Sequence, residues 1–317
     1  MSCCGPKTTM DPSLHRSQKP SWIKVRLPND PKFWSTKSLI TDLKLVTVCE
    51  EAQCPNRWEC WSHGTATFMI AGEKCTRACG FCAVKTAKPD PLEADEPQRV
   101  AEATQRMKLK HVVITAVARD DLRDGGAEHF KQTIEAVREM NPSTIIEVLV
   151  PDFNDRDWAL QLVMDARPHI FNHNIETVER LTPLVRSRAQ YQRSLTVLKK
   201  ATAMVNGVVA TKSGIMLGLG ERHEEVLQAF DDLRAHDVTV LTLGQYLRPT
   251  PKHLPVVEYI TPDRFAEYKE IALAKGFRHV ASGPLVRSSY HAADFRPELD
   301  VLDAIEADVR AAKNLNA

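Results

Sequence analysis

From about residue 65 onward, short apolar runs alternate with longer stretches whose apolar residues recur at helical spacing. The runs at 66–71, 112–117, 145–150, 170–174, 213–217 and 238–243, with a shorter one at 279–282, read as buried strands. Between them, 96–109, 127–140, 155–165, 190–205, 223–235 and 262–275 carry helical periodicity. Gly125-Gly126 precedes the second of these helices, and Thr261-Pro262 gives the last a cap and a first-turn proline. Strand and helix alternating in this way predict βα units with right-handed crossovers, hence a parallel sheet. Six such units make a partial barrel. A full eight-unit barrel needs about 250 residues, and only roughly 220 lie between Thr65 and Pro284. We therefore expect an α/β fold, a partial (β/α)6 TIM-type barrel over 65–284, with a flat doubly wound sheet as the alternative. An N-terminal extension, 1–64, and a C-terminal one, 285–317, are expected to close over the barrel mouth. Past Arg296 the chain reads as an amphipathic helix with Val301, Leu302, Ile305 and Val309 on one face, suited to packing on the barrel.

Composition narrows the function classes. With 42 Lys and Arg against 41 Asp and Glu, the net charge of +1 gives no support for general nucleic-acid binding. No apolar run reaches the roughly 18 residues of a membrane-spanning helix, and the first 30 residues lack a secretory apolar segment. A cytoplasmic protein that uses neither membrane nor nucleic acid is the expectation.

The cysteines change the picture most. Six of eight form two triplets, Cys49-x4-Cys54-x5-Cys60 and Cys75-x3-Cys79-x2-Cys82, within 34 positions. Clustered, uneven spacing suits metal ligation in a reducing compartment rather than a disulfide framework. Cys3 and Cys4, in a polar N-terminus, read as unpaired tail thiols. Three thiolates are one fewer than structural zinc or an ordinary cubane takes from the protein. Each site therefore draws a ligand from elsewhere or keeps a position open. At the first triad His63 can complete a Cys3His zinc set. No histidine closely follows the second triad, and Cys75-Thr-Arg-Ala-Cys79-Gly-Phe81-Cys82 has the spacing of the radical S-adenosylmethionine (SAM) signature. There three cysteines hold three irons of a 4Fe-4S cluster, and the fourth iron binds SAM. This loop follows the first predicted strand, at the sheet end where barrels collect their ligands.

Further segments carry a family resemblance from about Trp22 to Ala292. They include Cys49-Glu-Glu-Ala-Gln-Cys54-Pro-Asn, Ala66-Thr-Phe-Met-Ile-Ala-Gly-Glu-Lys-Cys75, Arg119-Asp-Asp-Leu-Arg-Asp-Gly-Gly126 and Glu147-Val-Leu-Val-Pro-Asp-Phe153. Phe171-Asn-His-Asn-Ile-Glu-Thr-Val178, Lys212-Ser-Gly-Ile-Met-Leu-Gly-Leu-Gly-Glu221, Thr242-Leu-Gly-Gln-Tyr-Leu-Arg-Pro-Thr250 and Gly283-Pro-Leu-Val-Arg-Ser-Ser-Tyr-His-Ala292 complete the set. In these the chain resembles the lipoyl synthases, radical SAM sulfurtransferases that insert sulfur at C6 and C8 of a protein-bound octanoyl-lysine. The resemblance implies two 4Fe-4S clusters. One, on Cys75, Cys79 and Cys82, binds SAM. The other is an auxiliary, sacrificial cluster on Cys49, Cys54 and Cys60, with Ser289 of Arg-Ser-Ser-Tyr as fourth ligand. A serine oxygen suits iron less well than a thiolate, and we read Ser289 as chosen because it can leave when the cluster is dismantled.

For SAM itself the expected contacts are Phe81, Asp121 in the loop after the second strand, and Asn172, Asn174 and Glu176 at the end of the fourth. Arg186, with Arg188, can clamp a carboxylate through a guanidinium fork, and Gly218 would let backbone approach adenine. His173 is expected to pack in the core. The implied partners are octanoylated lipoyl carrier domains of 2-oxoacid dehydrogenase E2 and glycine cleavage H proteins, an electron donor such as ferredoxin or flavodoxin, and an iron-sulfur cluster carrier protein. Carriers of this kind are acidic, so Lys24, Arg26, Arg57 and Lys85 are candidate docking contacts.

Overall fold

The computed structural model describes residues 19–24, 30–63, 65–205, 209–290 and 292–315; Cys3, Cys4 and Arg26 lie outside them. Among the described residues three helices come first: α1 (Pro31–Asp42), α2 (Val48–Glu51) and α3 (Arg57–Ser62). Strand β1 (Thr67–Ile70) follows, then the two-residue strands β2 (Lys74–Cys75) and β3 (Lys85–Thr86). The repeating part runs α4 (Glu96–Arg106), β4 (His111–Ala116), α5 (Ala127–Met140), β5 (Ile145–Leu149), α6 (Asp157–Asp165) and β6 (Ile170–Asn172). It continues through α7 (Thr182–Val185), α8 (Tyr191–Met204), β7 (Ala210–Leu217), α9 (His223–Ala235), β8 (Val240–Gln245), α10 (Pro262–Ala274) and β9 (His279–Gly283), and α11 (Leu299–Leu315) ends the chain.

The main sheet has seven strands in the order β1-β4-β5-β6-β7-β8-β9, every pair parallel. Spatial order follows chain order, so every crossover steps the same way. A doubly wound sheet must reverse its strand order part-way, so that alternative is overturned. The sheet is an open, singly wound partial barrel with six βα units leading to β9. Its strands read as unbroken apolar runs because they are buried on both faces; Thr67 to Ile70 are all buried. Each strand boundary lies within three residues of its expected position. The helix signals also hold: Thr261 Oγ1 accepts from Arg264 N, and Asp124 accepts from Gly126 N and Glu128 N to open α5.

The N-terminal helices had no counterpart in the sequence reading, although Asp30-Pro31 is a cap and first-turn signal. Asp30 accepts from Lys32 N at 2.8 Å. Phe33 of α1 stacks on Trp58 and Trp61 of α3, at centroid distances of 4.3 and 5.3 Å, and Thr36 Oγ1 donates to Trp61 O. At the other end, Ile305 of α11 is buried while Val301 and Val309 pack against the core.

Alternate residues of β5 face opposite ways. Ile146 and Val148 join the apolar core. Glu147 is fully buried. Lys212 Nζ donates to it at 2.8 Å, Asn172 Nδ2 donates at 3.1 Å, and His111 Nε2 lies 3.2 Å away. Burial pushes the Glu147 carboxyl up, but Lys212 and His111 outweigh it and hold the group at about 2. Its folded value lies below its ordinary one, so the stability it contributes is complete above 4.5 and disappears as pH falls toward about 2. Lys212→Met should destabilise the protein by about 3–5 kcal/mol by leaving that carboxylate uncompensated. Adding Glu147→Gln should restore most of the loss, as denaturant unfolding of the two variants would show.

Candidate functional site

β1 is an edge strand, and its free edge is covered from the N-terminal side. Met69 N donates to Val46 O at 2.8 Å, and Thr47 bridges antiparallel to Phe68. That pairing sets Cys49 of α2 beside Thr67. Cys54 N donates to Cys49 O, and Cys60 is carried on α3. From the other end of the chain, Asn56 Nδ2 donates to Leu285 O at 2.6 Å and Tyr290 OH donates to Glu59 at 3.1 Å. The result is a recess lined by Cys49, Cys54, Cys60, Thr67, Arg287 and Ser289. His63 is exposed and does not line it. Gly244 makes room for the returning segment, since a Cβ there would lie 2.1 Å from Val286 O.

The C-terminal end of β1 leads through Ala71 and Gly72, both at positive φ, into the second triad. β2 pairs with β3, so Cys75, Cys79 and Cys82 sit on one pinched loop. Neighbouring strand ends pin it. Thr76 N donates to Ala118 O, Gly80 N to Val185 O, Leu254 N to Gly80 O, and His253 Nε2 lies 2.9 Å from Cys82 O. Arg77, buried between the first two cysteines, forms a fork with Asp120 (2.9 and 2.8 Å) and reaches Asp152 at 2.7 Å and Asn154 at 3.0 Å. Cys75 Sγ accepts weakly from Arg77 N and Ala118 N, both at 3.4 Å.

Glu176 and Arg186 stand within electrostatic reach of Cys79. Asn174 Nδ2 donates to Glu176 Oε1 at 3.2 Å, and Gly214 leaves the space that Asn174 occupies, its would-be Cβ lying 2.8 Å from Asn174 Oδ1. Phe81 is half-buried against the core. Other expected contacts have protein partners of their own. Asn172 turns into the barrel toward Glu147. Asp121 is held by Arg119 in a two-pronged pair at 2.9 Å. Arg186 Nη1 is committed to Asn174 O and Ser194 Oγ, while Arg188 is largely exposed, 3.8 Å from Asp120. Gly218, at φ +101, is closed in by Gln245 and the Glu258 carbonyl, which lie where its Cβ would go, so protein packing already requires a glycine there.

A family model for the radical SAM superfamily matches residues 69–233, and one for the N-terminal domain of lipoyl synthase of the radical SAM family matches 8–54. A lipoyl synthase of Shouchella clausii is 56% identical over 283 residues, covering 89% of this chain and 91% of its own. One from Geobacillus kaustophilus is 58% identical over 276 residues, covering 87% and 92%. The chain belongs to the lipoyl synthase family. Solved structures of low identity share the fold alone. Streptococcus suis SuiB bound to precursor peptide SuiA matches with TM-score 0.53 at 9% identity, over 79% of this chain and 53% of that one. The FeFe-hydrogenase maturase HydG from Carboxydothermus hydrogenoformans gives 0.52 at 12%, over 86% and 78%.

Membership in the lipoyl synthase family implies SAM and iron-sulfur clusters, and the donor chemistry of both triads fits such groups. Burial pushes the thiols of Cys49 and Cys79 to about 11 and those of Cys60 and Cys82 to about 12. Thiols so placed are poor nucleophiles at neutral pH, and binding a metal is what removes their protons. Burial also raises Cys54, with Arg287 the chief opposing influence. Trp61 Nε1 is buried with no hydrogen-bond partner and lies where it opposes the upward shift of Cys49, an N–H suited to a cluster thiolate. Asn174 Oδ1 and Asn172 Oδ1 are likewise buried without partners. Among the described residues no three His, Cys, Asp or Glu side chains converge as ligands of one metal ion; a four-iron cluster, with its protein ligands on different irons, has no such requirement.

The sequence reading missed Thr67, Trp61 and Arg77 as members of these sites, although each adjoins or lies within a quoted cysteine motif. His173 is core, as expected: its Nδ1 lies 2.8 Å from Val150 O and its Nε2 2.9 Å from Ser194 Oγ. Burial, helped by Arg186, lowers its pKa to about 4. The unfolded chain therefore binds the extra proton between about 4 and 6.5, and stability should rise with pH across that window. Imidazole NMR should report a neutral His173 ring at pH 7 that titrates only near 4; titration near 6.5 would contradict this packing.

Proposed function

We propose that this chain inserts sulfur at C6 and C8 of an octanoyl group amide-linked to a carrier lysine, using one SAM-binding cluster and one sacrificial auxiliary cluster. The observation that carries this reading is the meeting of Ser289 with Cys49, Cys54 and Cys60 in one recess on β1, the strand that also feeds the Cys75–Cys82 loop. When bound, the SAM-site cluster supplies the electron that cleaves SAM to a radical able to open unactivated C–H bonds, and the auxiliary cluster supplies sulfur.

The chain's own residues hold, orient and neutralise. Cys75, Cys79 and Cys82 would carry the first cluster, with Arg77 fixing their loop. We assign the SAM contacts first to Asn174 and Glu176, Glu176 standing near Cys79 and Asn174 donating to it. Arg186, also near Cys79, has its Nη1 committed to Asn174 O and Ser194 Oγ and, with Asp121, Asn172 and Gly218, comes after them for the reasons above. Phe81 supplies apolar cover for the loop. Cys49, Cys54, Cys60 and Ser289 would carry the second cluster, with Arg287 offsetting its negative charge. We read residues 1–64 and 285–317 as the two arms completing that site around the 65–284 barrel.

For the acidic carrier domain, Lys24 and Lys85 are exposed. Arg57 instead lies 3.6 Å from Glu50 and against Trp58 and Trp61, which favours a structural role. A ferredoxin- or flavodoxin-like donor and a cluster carrier protein complete the partners. No helix among the described residues is long and apolar enough to cross a membrane.

The reading is tested by anaerobic reconstitution and incubation with SAM, dithionite and an octanoyl-lysine peptide, following iron, sulfide and peptide mass. About eight irons, a thiolated intermediate and a two-sulfur product with loss of one auxiliary cluster are expected. SAM cleavage without sulfur on the peptide would overturn the substrate, and absence of iron would return the cysteines to zinc. Ser289→Cys should load iron yet slow the second insertion, because a thiolate leaves iron less readily than serine oxygen; an unimpaired second insertion would remove that role from the serine.

A further inference from the structure

Ser289 reaches its recess from far along the chain, and one short contact fixes its oxygen: Thr67 Oγ1 donates to Ser289 Oγ at 2.8 Å. Thr67 begins β1 and is 4% exposed. Its branched Cβ, packed in a strand, restricts χ1, so the hydroxyl is held in place. Ser289 sits on an irregular turn, where its own side chain has three staggered choices. Thr67 therefore selects the rotamer in which Ser289 faces the cysteines.

The same threonine also borders a cysteine, since Thr67 and Cys49 line one recess. The hydroxyl has a single proton, and an anionic oxygen is a stronger acceptor for it than sulfur. Thr67 thus borders two members of one site, and its O–H faces Ser289.

We infer that Thr67 is a positioning residue for the serine ligand: its hydroxyl donates to the Ser289 oxygen, holds that oxygen toward the three cysteines and sets how readily it leaves iron. The inference rests on the proposed ligation by Ser289 and goes beyond it, because Thr67 itself touches no metal. A donor to an anionic ligand oxygen stabilises its deprotonated, iron-bound form. Without that donor the oxygen is more basic and takes a proton from water more readily, and the neutral hydroxyl so formed rotates away and leaves iron sooner.

The test uses full-length, anaerobically reconstituted protein carrying Cys79→Ala, so that the iron read is that of the auxiliary site, and measures iron release to a chelator without SAM. Thr67→Val keeps the shape and removes the donor. It should release iron about tenfold faster, the lower end of what a hydrogen bond to a charged group is worth. Thr67→Ser should restore the slow rate. In a Ser289→Ala background, Thr67→Val should add nothing. Wild-type release from Thr67→Val beside fast release from Ser289→Ala would overturn the role of Thr67 and leave the serine ligation standing. Equal acceleration by Thr67→Val in both backgrounds would also overturn it, placing the effect on Cys49 or packing. If Ser289→Ala changes neither release nor the Mössbauer spectrum, the ligation itself falls and the inference with it. A second readout needs no substitution at Thr67: ENDOR of the reduced auxiliary cluster in H2O against D2O should show an exchangeable proton coupled to the oxygen-ligated iron. A spectrum without one overturns the proposal.

Discussion

An open parallel sheet has two edges whose backbone groups need partners, and the way this chain satisfies one of them builds its first cysteine site. β1 pairs with β4 on one side only. The segment before α2 covers the other side through Met69 N to Val46 O and the Thr47–Phe68 bridge. A closed barrel would have no such vacancy. Because the covering segment runs into the first triad, meeting a backbone requirement also sets Cys49 beside Thr67, while the same β1 runs on into the loop of the second triad. One strand thus spaces the two sites.

Electrostatics explain why the sites are held so rigidly. Burial raises the thiols of Cys49, Cys60, Cys79 and Cys82 well above neutrality, so as protonated thiols these four are poor nucleophiles. The charges around them are mostly paired already. Arg77 is held by Asp120 and Asp152, and Asp152 also meets Arg193 at 3.2 Å. Such a network adds little net stability over apolar packing, but losing one partner is costly. It therefore fixes the cysteine loop in one arrangement rather than many. The buried Glu147–Lys212 pair does the same for the barrel interior beneath.

The barrel was legible in the sequence because its strands are short, apolar and separated by periodic helices; Ala127–Met140 and His223–Ala235 match to the residue. The cysteine groupings were legible from spacing. Less legible was anything decided by contact between distant segments. Thr67 reads as an ordinary strand residue until Ser289 is seen beside it. Glu147 falls in an apolar run where period-two logic predicts only burial, Lys212 lies just outside the run expected at 213–217, and a buried carboxylate is explained only by its partner across two strands. Gly218 carried the opposite lesson: its neighbours Gln245 and Glu258 account for the missing side chain without a ligand. Arg186 likewise had to be seen holding Asn174 O before its free capacity could be judged.

The recess on β1 also has an order of assembly written into it. Thr67 and Ser289 are separated by 222 positions, and Asn56 and Leu285 by 229. The loops that these contacts close span most of the barrel, and the entropy of closing a loop has to be met before its contacts can reward it. The enclosure of the three cysteines therefore waits on the folding of the barrel that lies between the two segments.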